Sequence, residues 1–345
     1  MKAIIMYIRR HKVGTAITLL VLTIVTFAAV RVLPSSTEEM RQSAAIVETR
    51  TCWEISVGGK GALWFAAADS DSTLLSPSAT RREAERVTLS GGCWMNRWPA
   101  IPSCRGRLIT VLPQPSATDI VSTGWKSATV RKLMEKARHD IGDSLKVALS
   151  EDSELQYYLR VHGVQDEGYQ QIAAAATMAK AKIKKLEATA ATIGRLLDST
   201  ALPLTLRRRI THTIHYRNTD GKDTTAACRL VAKDTPRRLS LLQTLDATTP
   251  SSVTAQYLLP WNSVNRRLVT VGFSGLGIAE LATPNAAPAL IEGHRKGKRH
   301  DFPRVLAADG CPLFTPRGLF AGIVEGPSVD GRSHVSRLMM KGGWR

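Results

Sequence analysis

The sequence predicts a mainly β protein: two six-stranded barrels, an α-helical hairpin inserted in the first, and an N-terminal transmembrane helix. Three observations carry this. About a dozen short apolar segments are separated by turn residues, a pattern of successive strands rather than of βαβ units. Residues 126–199 switch to helical spacing. Residues Val13 to Val30 hold no charged side chain.

The apolar stretch VGTAITLLVLTIVTFAAV would rise about 27 Å as a helix, close to the hydrocarbon thickness. Backbone groups in lipid must pair internally, so the stretch should be helical. RRHK precedes it and only Arg31 follows it closely. That bias assigns residues 1–12 to the cytoplasm, makes 13–33 a signal anchor and sends the rest across the membrane. A cleaved signal peptide is the competing reading. Its apolar core would be about 7–15 residues with an A-x-A-like site after it, and neither fits. The polar run 34–50 reads as a stalk. The expected location is a bacterial inner membrane, with the bulk of the chain periplasmic.

The chain has 345 residues, 43% hydrophobic and 22% charged, which excludes disorder throughout. Its 47 Lys and Arg exceed 29 Asp and Glu, for a net charge of +18, and attract anionic partners. A domain beyond the membrane meets no genomic DNA, and only 6% of residues are aromatic, so nucleic acid is not expected. Acidic lipid or glycan stays a candidate. The clusters Arg207–Arg209, Arg237–Arg238, Arg266–Arg267 and Arg295–Arg299 are its docking points, or simply a solvated face.

The first barrel is expected over 51–125 and 200–250. Its strands are WEISV (53–57), ALWFAA (62–67), STLLS (72–76), RVTL (86–89), RLITVL (107–112), the alternating stretch 210–216, TAACRLVAK (225–233) and RLSLLQTL (238–245). The second, over 251–345 with a tail, holds RRLVTVGF (266–273), IAELAT (278–283) and GLFAGIV (318–324). Between the two parts of the first lies the helical block. Val130, Met134, Ala137, Ile141 and Leu145 recur at helical spacing. After a break near His162–Gly163, the run Ile172, Ala176, Ala179, Ile183, Leu186, Ala190, Ile193, Leu197 keeps alternating steps of four and three. Small Ala in that seam lets a partner helix approach. An antiparallel coiled-coil hairpin over 126–199 follows, favoured over one long helix packed along a β domain because both stretches carry an apolar face.

The segment ADGCPLFTPRGLFAGIV (308–324) resembles the nucleophile segment of trypsin-like serine proteases of the Deg/HtrA type, which reads G-D/N-S-G-G-P-L, a turn, then G-x-φ-x-G-I with φ apolar. RLVTVGFSGLG (267–277) is similar to that family's V-x-x-I-G-x-P-x-G-L segment, and KDTPRRLSLLQTL (233–245) to the one carrying the catalytic Asp. GGKGALWFAAADSDSTLLSPSATR (58–81) resembles the one carrying the His. The resemblance covers most of 51–330 outside the helical block and implies the trypsin-like double barrel.

It also implies the three catalytic positions, and each departs from the family. Ala79 stands where the base His belongs, Arg238 at the orienting Asp and Asp309 at the nucleophilic Ser, while Ala307 replaces an oxyanion-hole Gly. The relay needs a hydroxyl, an imidazole to take its proton and a carboxylate to hold the imidazole. Ala79 accepts no proton, Arg238 repels an imidazolium, and Asp309 opposes a developing oxyanion. The expected function is therefore a membrane-anchored pseudoprotease, an envelope scaffold or adaptor that binds a protein partner through the hairpin. The alternatives are an active membrane-tethered serine endopeptidase whose triad lies elsewhere, or a binder of anionic lipid or glycan.

Other reactive residues add little. Cys311, two positions past the Ser site and followed by Pro312, reads as a buried filler before a nucleophile. His212 and His215, three apart on a strand, face opposite sides and do not suit a zinc ion. No cofactor or metal is expected. The five cysteines are Cys52, Cys93, Cys104, Cys228 and Cys311. A Cys93–Cys104 bridge, a competing Cys52–Cys93 bridge and free thiols all remain open. His294 and His300 flank the basic run 295–299, read as a solvated loop.

Overall fold

The structure is a computed structural model that describes residues 14, 17–23, 34–68, 73–95, 105–112, 126–199, 203–218, 220–246, 267–273, 287–297, 299–326 and 328–331. The chain forms two compact units. One comprises Met1–Glu48, Thr88–Pro113 and His212–Arg345; the other comprises Thr49–Val87 and Gln114–Thr211.

The described strands are β1 (Ala44–Val57), β2 (Lys60–Ala68), β3 (Leu74–Ser78), β4 (Arg86–Trp94), β5 (Arg107–Val111), β6 (Leu204–Arg217), β7 (Asp223–Asp234), β8 (Leu239–Thr244), β9 (Arg267–Phe273), β10 (Pro288–Lys296), β11 (Arg299–His300), β12 (Pro312–Phe314), β13 (Phe320–Glu325) and β14 (Ser328–Gly331). The helices are α1 (Thr37–Gln42), α2 (Arg81–Ala84), α3 (Ser127–Val161) and α4 (Tyr169–Asp198).

In the first unit, six strands close a barrel in the order β10-β11-β14-β13-β12-β9. The same unit holds the antiparallel run β4-β5-β8-β7-β6, in which Val111 pairs with Leu239 and Tyr216 with Thr224. Strand period explains why these segments read as nearly continuous apolar runs: both faces are buried. On β1, Ala44 and Ile46 join one core while Ala45 and Val47 join another. Cys93, Ile109, Val111, Leu239 and Leu241 share the first core with Val271, Phe314, Phe320 and Ile323 of the closed barrel. Trp94, Leu108, Ile214 and Leu242 share the second, where Trp94 meets Tyr216 edge-on at 5.3 Å.

Three expectations are corrected here. Residues 34–50 are no stalk. Ser36 caps α1 reciprocally with Glu39, Ser35 N–H donates to Gly318 O at 2.9 Å, and Met40 and Ala44–Val47 are buried. The run looked like a linker because a six-residue helix is too short to show a period. The first sheet accordingly starts at Ala44 rather than at 51. The basic run 295–299 is solvated as expected at Lys296, Gly297 and Arg299 but is not simply a loop: Arg295 and Lys296 end β10, Arg299 opens β11, Lys296 pairs with Arg299, and Gly297 has φ +65°. β10 itself was hidden by Pro288 and its charges, yet it pairs with β9 from Pro288–Phe273 to His294–Arg267. The expected strand IAELAT (278–283) lies outside the described residues.

In the second unit, β1 pairs with β2 (Trp53 with Phe65) and β2 with β3 (Trp64 with Ser78). The helical block is the expected hairpin, α3 and α4 antiparallel, with Lys182 Nζ 3.7 Å from Glu151 Oε2. Arg131 donates to the carbonyls of Leu196 and Leu197, closing the C-terminal end of α4. Every seam residue from Ile172 to Leu197 is at least partly covered. The base of the hairpin also packs on the sheet: Val130, Met134, Ile141 and Ile193 bury with Trp53, Ile55, Leu63, Phe65 and Leu74. The block is two helices and not one long helix, paired with each other along their length and packed on the sheet at their foot.

Residues 17–23 are helical, and the rest of the expected membrane segment, Gly14 apart, lies outside the described residues. Among the described residues no helix is long and apolar enough to cross a membrane. Cys52, Cys93, Cys228 and Cys311 are free thiols, so no Cys52–Cys93 bridge forms; Cys104 lies outside the described residues.

The second unit also holds a buried charge. Glu54, with a 2% exposed side chain, accepts from Arg207 Nη2 at 2.8 Å and from Arg209 Nη1 at 3.0 Å. Two of the three arginines of the cluster Arg207–Arg209 thus pair with a buried carboxylate while staying partly exposed. Burial alone would push the Glu54 carboxyl up, but the two guanidinium bonds outweigh it and hold the carboxyl below the usual range. A folded value below the unfolded one gives stability that is present above the unfolded pKa and lost as pH falls through the folded one. Glu54→Gln should cost about 2 kcal/mol at neutral pH, less than a fully buried pair because the guanidiniums are partly solvated. It should also flatten the fall in stability below about pH 4.5. Urea unfolding of both chains from pH 7 to pH 3 measures this.

Candidate functional site

The loop Ala307–Cys311 is shaped by backbone bonds. Leu306 and Ala307 N–H both donate to Pro303 O, at 3.1 and 2.9 Å. Gly310 N–H donates to Val324 O at 2.8 Å, and Gly91 N–H of β4 donates to Asp309 O at 2.7 Å. Gly310 has φ +91°, and a Cβ there would lie 2.1 Å from Gly91 O, so glycine is required twice over. Gly272 of β9 is equally constrained, since its Cβ would lie 1.9 Å from Leu306 O.

Arg238 ends a single 3₁₀ turn, Thr235–Arg237, in a left-handed conformation at φ +57°. A non-glycine residue there costs of order 1 kcal/mol and persists only when its surroundings hold it. They do. Leu112 N–H donates to Arg238 O at 3.1 Å, and Arg238 Nε donates back to Leu112 O at 3.3 Å. Arg238 Nη2 then reaches Asp309 Oδ2 at 3.1 Å. The second carboxylate oxygen, Oδ1, accepts from Gly326 N–H at 2.7 Å. His300 extends the network: Phe302 N–H donates to its Nδ1 at 3.2 Å, which leaves Nε2–H to donate to Gly326 O at 2.9 Å.

The structure therefore brings Arg238 and Asp309 together in the first unit, as one latch tying the end of β5, the start of β8 and the turn after β13. Ala79 belongs to the second unit, between the end of β3 and α2, and is half-buried. Ala307 is buried with its N–H already bound, so one donor of an oxyanion hole is engaged within the loop. Asp309 accepts one bond at each carboxylate oxygen, from Arg238 and from Gly326 N–H.

Cys311 is fully buried, and burial pushes its thiol up to about 12, with the Asp309 charge adding to the shift. It is a filler against Gly91, not a nucleophile. Burial likewise raises Cys93, and Cys228 to about 12. His212 and His215 fall on opposite faces of β6. Burial lowers the pKa of His212, while His215 Nε2 lies 2.8 Å from Glu48 Oε2. Among the described residues no three His, Cys, Asp or Glu side chains are grouped to hold a metal ion.

His300, Gly326, Leu112 and Gly91 were not legible as site residues. Only Gly91-Gly92 inside a strand offered a signal, since glycine there marks close backbone approach. Removing the carboxylate by Asp309→Ala should lower stability by about 2 kcal/mol, leaving Arg238 and Gly326 N–H without their partner. Arg238→Ala should cost a similar amount. The double variant should cost less than the sum, by about 1 kcal/mol, in urea unfolding.

No family model matches the sequence, and no curated protein matches it. Among solved structures the chain is similar to the protease domain of MamO from Magnetospirillum magneticum in its apo form. The identity is 15% and the TM-score 0.26, over 34% of this chain and 68% of that one. It is also similar to Deg5, at 13% identity and TM-score 0.24, over 38% of this chain and 63% of that one.

Proposed function

We propose that the chain is a catalytically inert protein on the trypsin-like plan, anchored in a bacterial inner membrane, that serves as an envelope scaffold or adaptor with its helical hairpin as the interacting arm. The observation that carries the inert reading is the Arg238–Asp309 latch. The two residues come from separate motif segments, and the resemblance puts them at the orienting and nucleophilic positions. Their contact at 3.1 Å supports that register. In place of a proton relay stands an ion pair whose carboxylate is bonded at both oxygens. Neither partner generates an attacking hydroxyl, and Ala79 takes no proton.

The anchor and the periplasmic location rest on Val13–Val30 and its flanking charges. With α1 docked by Ser35 on Gly318, little chain separates that segment from the folded unit. The arm reading rests on the hairpin, whose foot is fixed in the core of the second unit while its distal half carries exposed apolar side chains.

Incubating the full chain with a fluorophosphonate probe and unfolded casein tests inertness. No labelling and no cleavage are expected, and Asp309→Ser should also stay unlabelled because Arg238 and Ala79 remain. Labelling of any serine together with casein cleavage would falsify the reading. The anchor predicts retention in the membrane fraction through alkaline carbonate extraction, and release would overturn it.

A further inference from the structure

Two buried thiols share one core of the first unit. On β4, Leu89, Cys93 and Met95 turn to the first core while Trp94 turns to the second, so Gly91 lies on the Cys93 face. Cys311 fills the place that a side chain at Gly91 would take. A Cβ there would lie 2.6 Å from Cys311 Sγ and 2.9 Å from its Cα. Residues two apart on a strand are separated by about 6.6 Å. The seat of Cys311 is thus one strand repeat from Cys93, and a disulfide joins Cα atoms roughly 4.4–6.8 Å apart.

Both side chains are fully buried, and the charge of an ionised Cys311 would reach Cys93 and raise its thiol further than burial already does. The other described cysteines stand apart. Cys52 belongs to the second unit, and Cys228 Sγ donates to His212 O at 3.3 Å. More than half of the chain separates Cys93 from Cys311, so a bond between them would constrain the unfolded chain strongly.

We propose that Cys93 and Cys311 are a redox pair that closes to a disulfide, tying β4 to the loop that carries Asp309. The structure is its reduced form, with both thiols free. Closure is thiol–disulfide exchange with a small disulfide oxidant such as oxidised glutathione. One cysteine thiolate attacks the oxidant and expels half of it as a thiolate; the other cysteine thiolate then displaces the second half from the mixed disulfide. One S–S bond forms, one breaks, and the two cysteine protons end on the two released thiols. In the folded chain burial keeps both thiols protonated, with Cys311 pushed up to about 12. Exchange therefore belongs to the open chain, before Gly310 seats on Gly91. Only the source of the oxidant in the cell rests on the periplasmic reading; the bond itself does not.

Refolding tests it. The full chain in detergent micelles, reduced and unfolded in urea, is refolded against a glutathione buffer, alkylated and digested without reductant. A peptide pair joining Cys93 to Cys311 is expected by mass spectrometry, with Cys52 and Cys228 alkylated. The oxidised chain should unfold at a higher urea concentration than the same chain kept in reductant. Cys311→Ala should abolish that shift, and Cys52→Ala should preserve both the shift and the linked peptides. Should Cys311→Ala fail to fold, the peptide map of the unsubstituted chain still decides. Alkylation of both Cys93 and Cys311 after refolding overturns the proposal, as does a bond from Cys93 to Cys104 or to Cys52. Probe labelling of a serine, or release from the membrane by carbonate, would strike the proposed function and leave the peptide map as it is.

Discussion

The Arg238–Asp309 pair holds the first unit in its present form. Arg238 sits in a backbone conformation that a side chain disfavours, and four bonds keep it there: its N–H to Thr235 O, two exchanged with Leu112 and one to Asp309. Asp309 in turn fixes Gly326 and, through its carbonyl, Gly91. The two residues depend on each other electrostatically. A guanidinium at this place without the carboxylate would be a partly buried, unpaired cation, and the carboxylate alone an equally costly anion. Each of the two side chains is thus stabilised in its place by the other.

The same coupling bears on substitution. A hydroxyl in place of the carboxylate at position 309 would remove the charged partner of Arg238 while the N–H of Ala307 stayed bound to Pro303. The thiol of Cys311 is shielded beside it, because the packing that buries it against Gly91 is also what raises its pKa.

Strand segments were legible wherever alternation or an apolar run survived, as at Arg107–Val111 and Leu239–Thr244. The hairpin was legible because its seam repeats for 26 residues, from Ile172 to Leu197, longer than any loop would sustain. What failed did so for local reasons. α1 is held by a capping box and one buried Met40, neither of which makes a period. β10 carries Pro288, Glu292, His294, Arg295 and Lys296, and its pairing with β9 comes from the closing of the barrel, not from composition. At the site, Arg238 and Asp309 were found as substitutions in motifs. Their bond was not foreseen, because sequence distance hides a contact across 71 residues. The pairing of the cluster Arg207–Arg209 with Glu54 is hidden in the same way, because Glu54 lies 153 residues from Arg207.

That pairing separates two kinds of positive charge in a basic protein. Arg207, Arg209 and Arg238 each hold a carboxylate of the fold, although Arg207 and Arg209 stay 47% and 41% exposed. Lys180, Lys184 and their neighbours on α4 are exposed, and compact ammonium groups on flexible stems suit a rim contact better than a buried one. Exposure does not follow residue type, since Arg82, Arg229 and Arg317 are exposed alongside the α4 lysines. What sets Glu54 and Asp309 apart is that each carboxylate is held by bonds from elements distant in sequence, and each of these sets of bonds fixes its own unit from within.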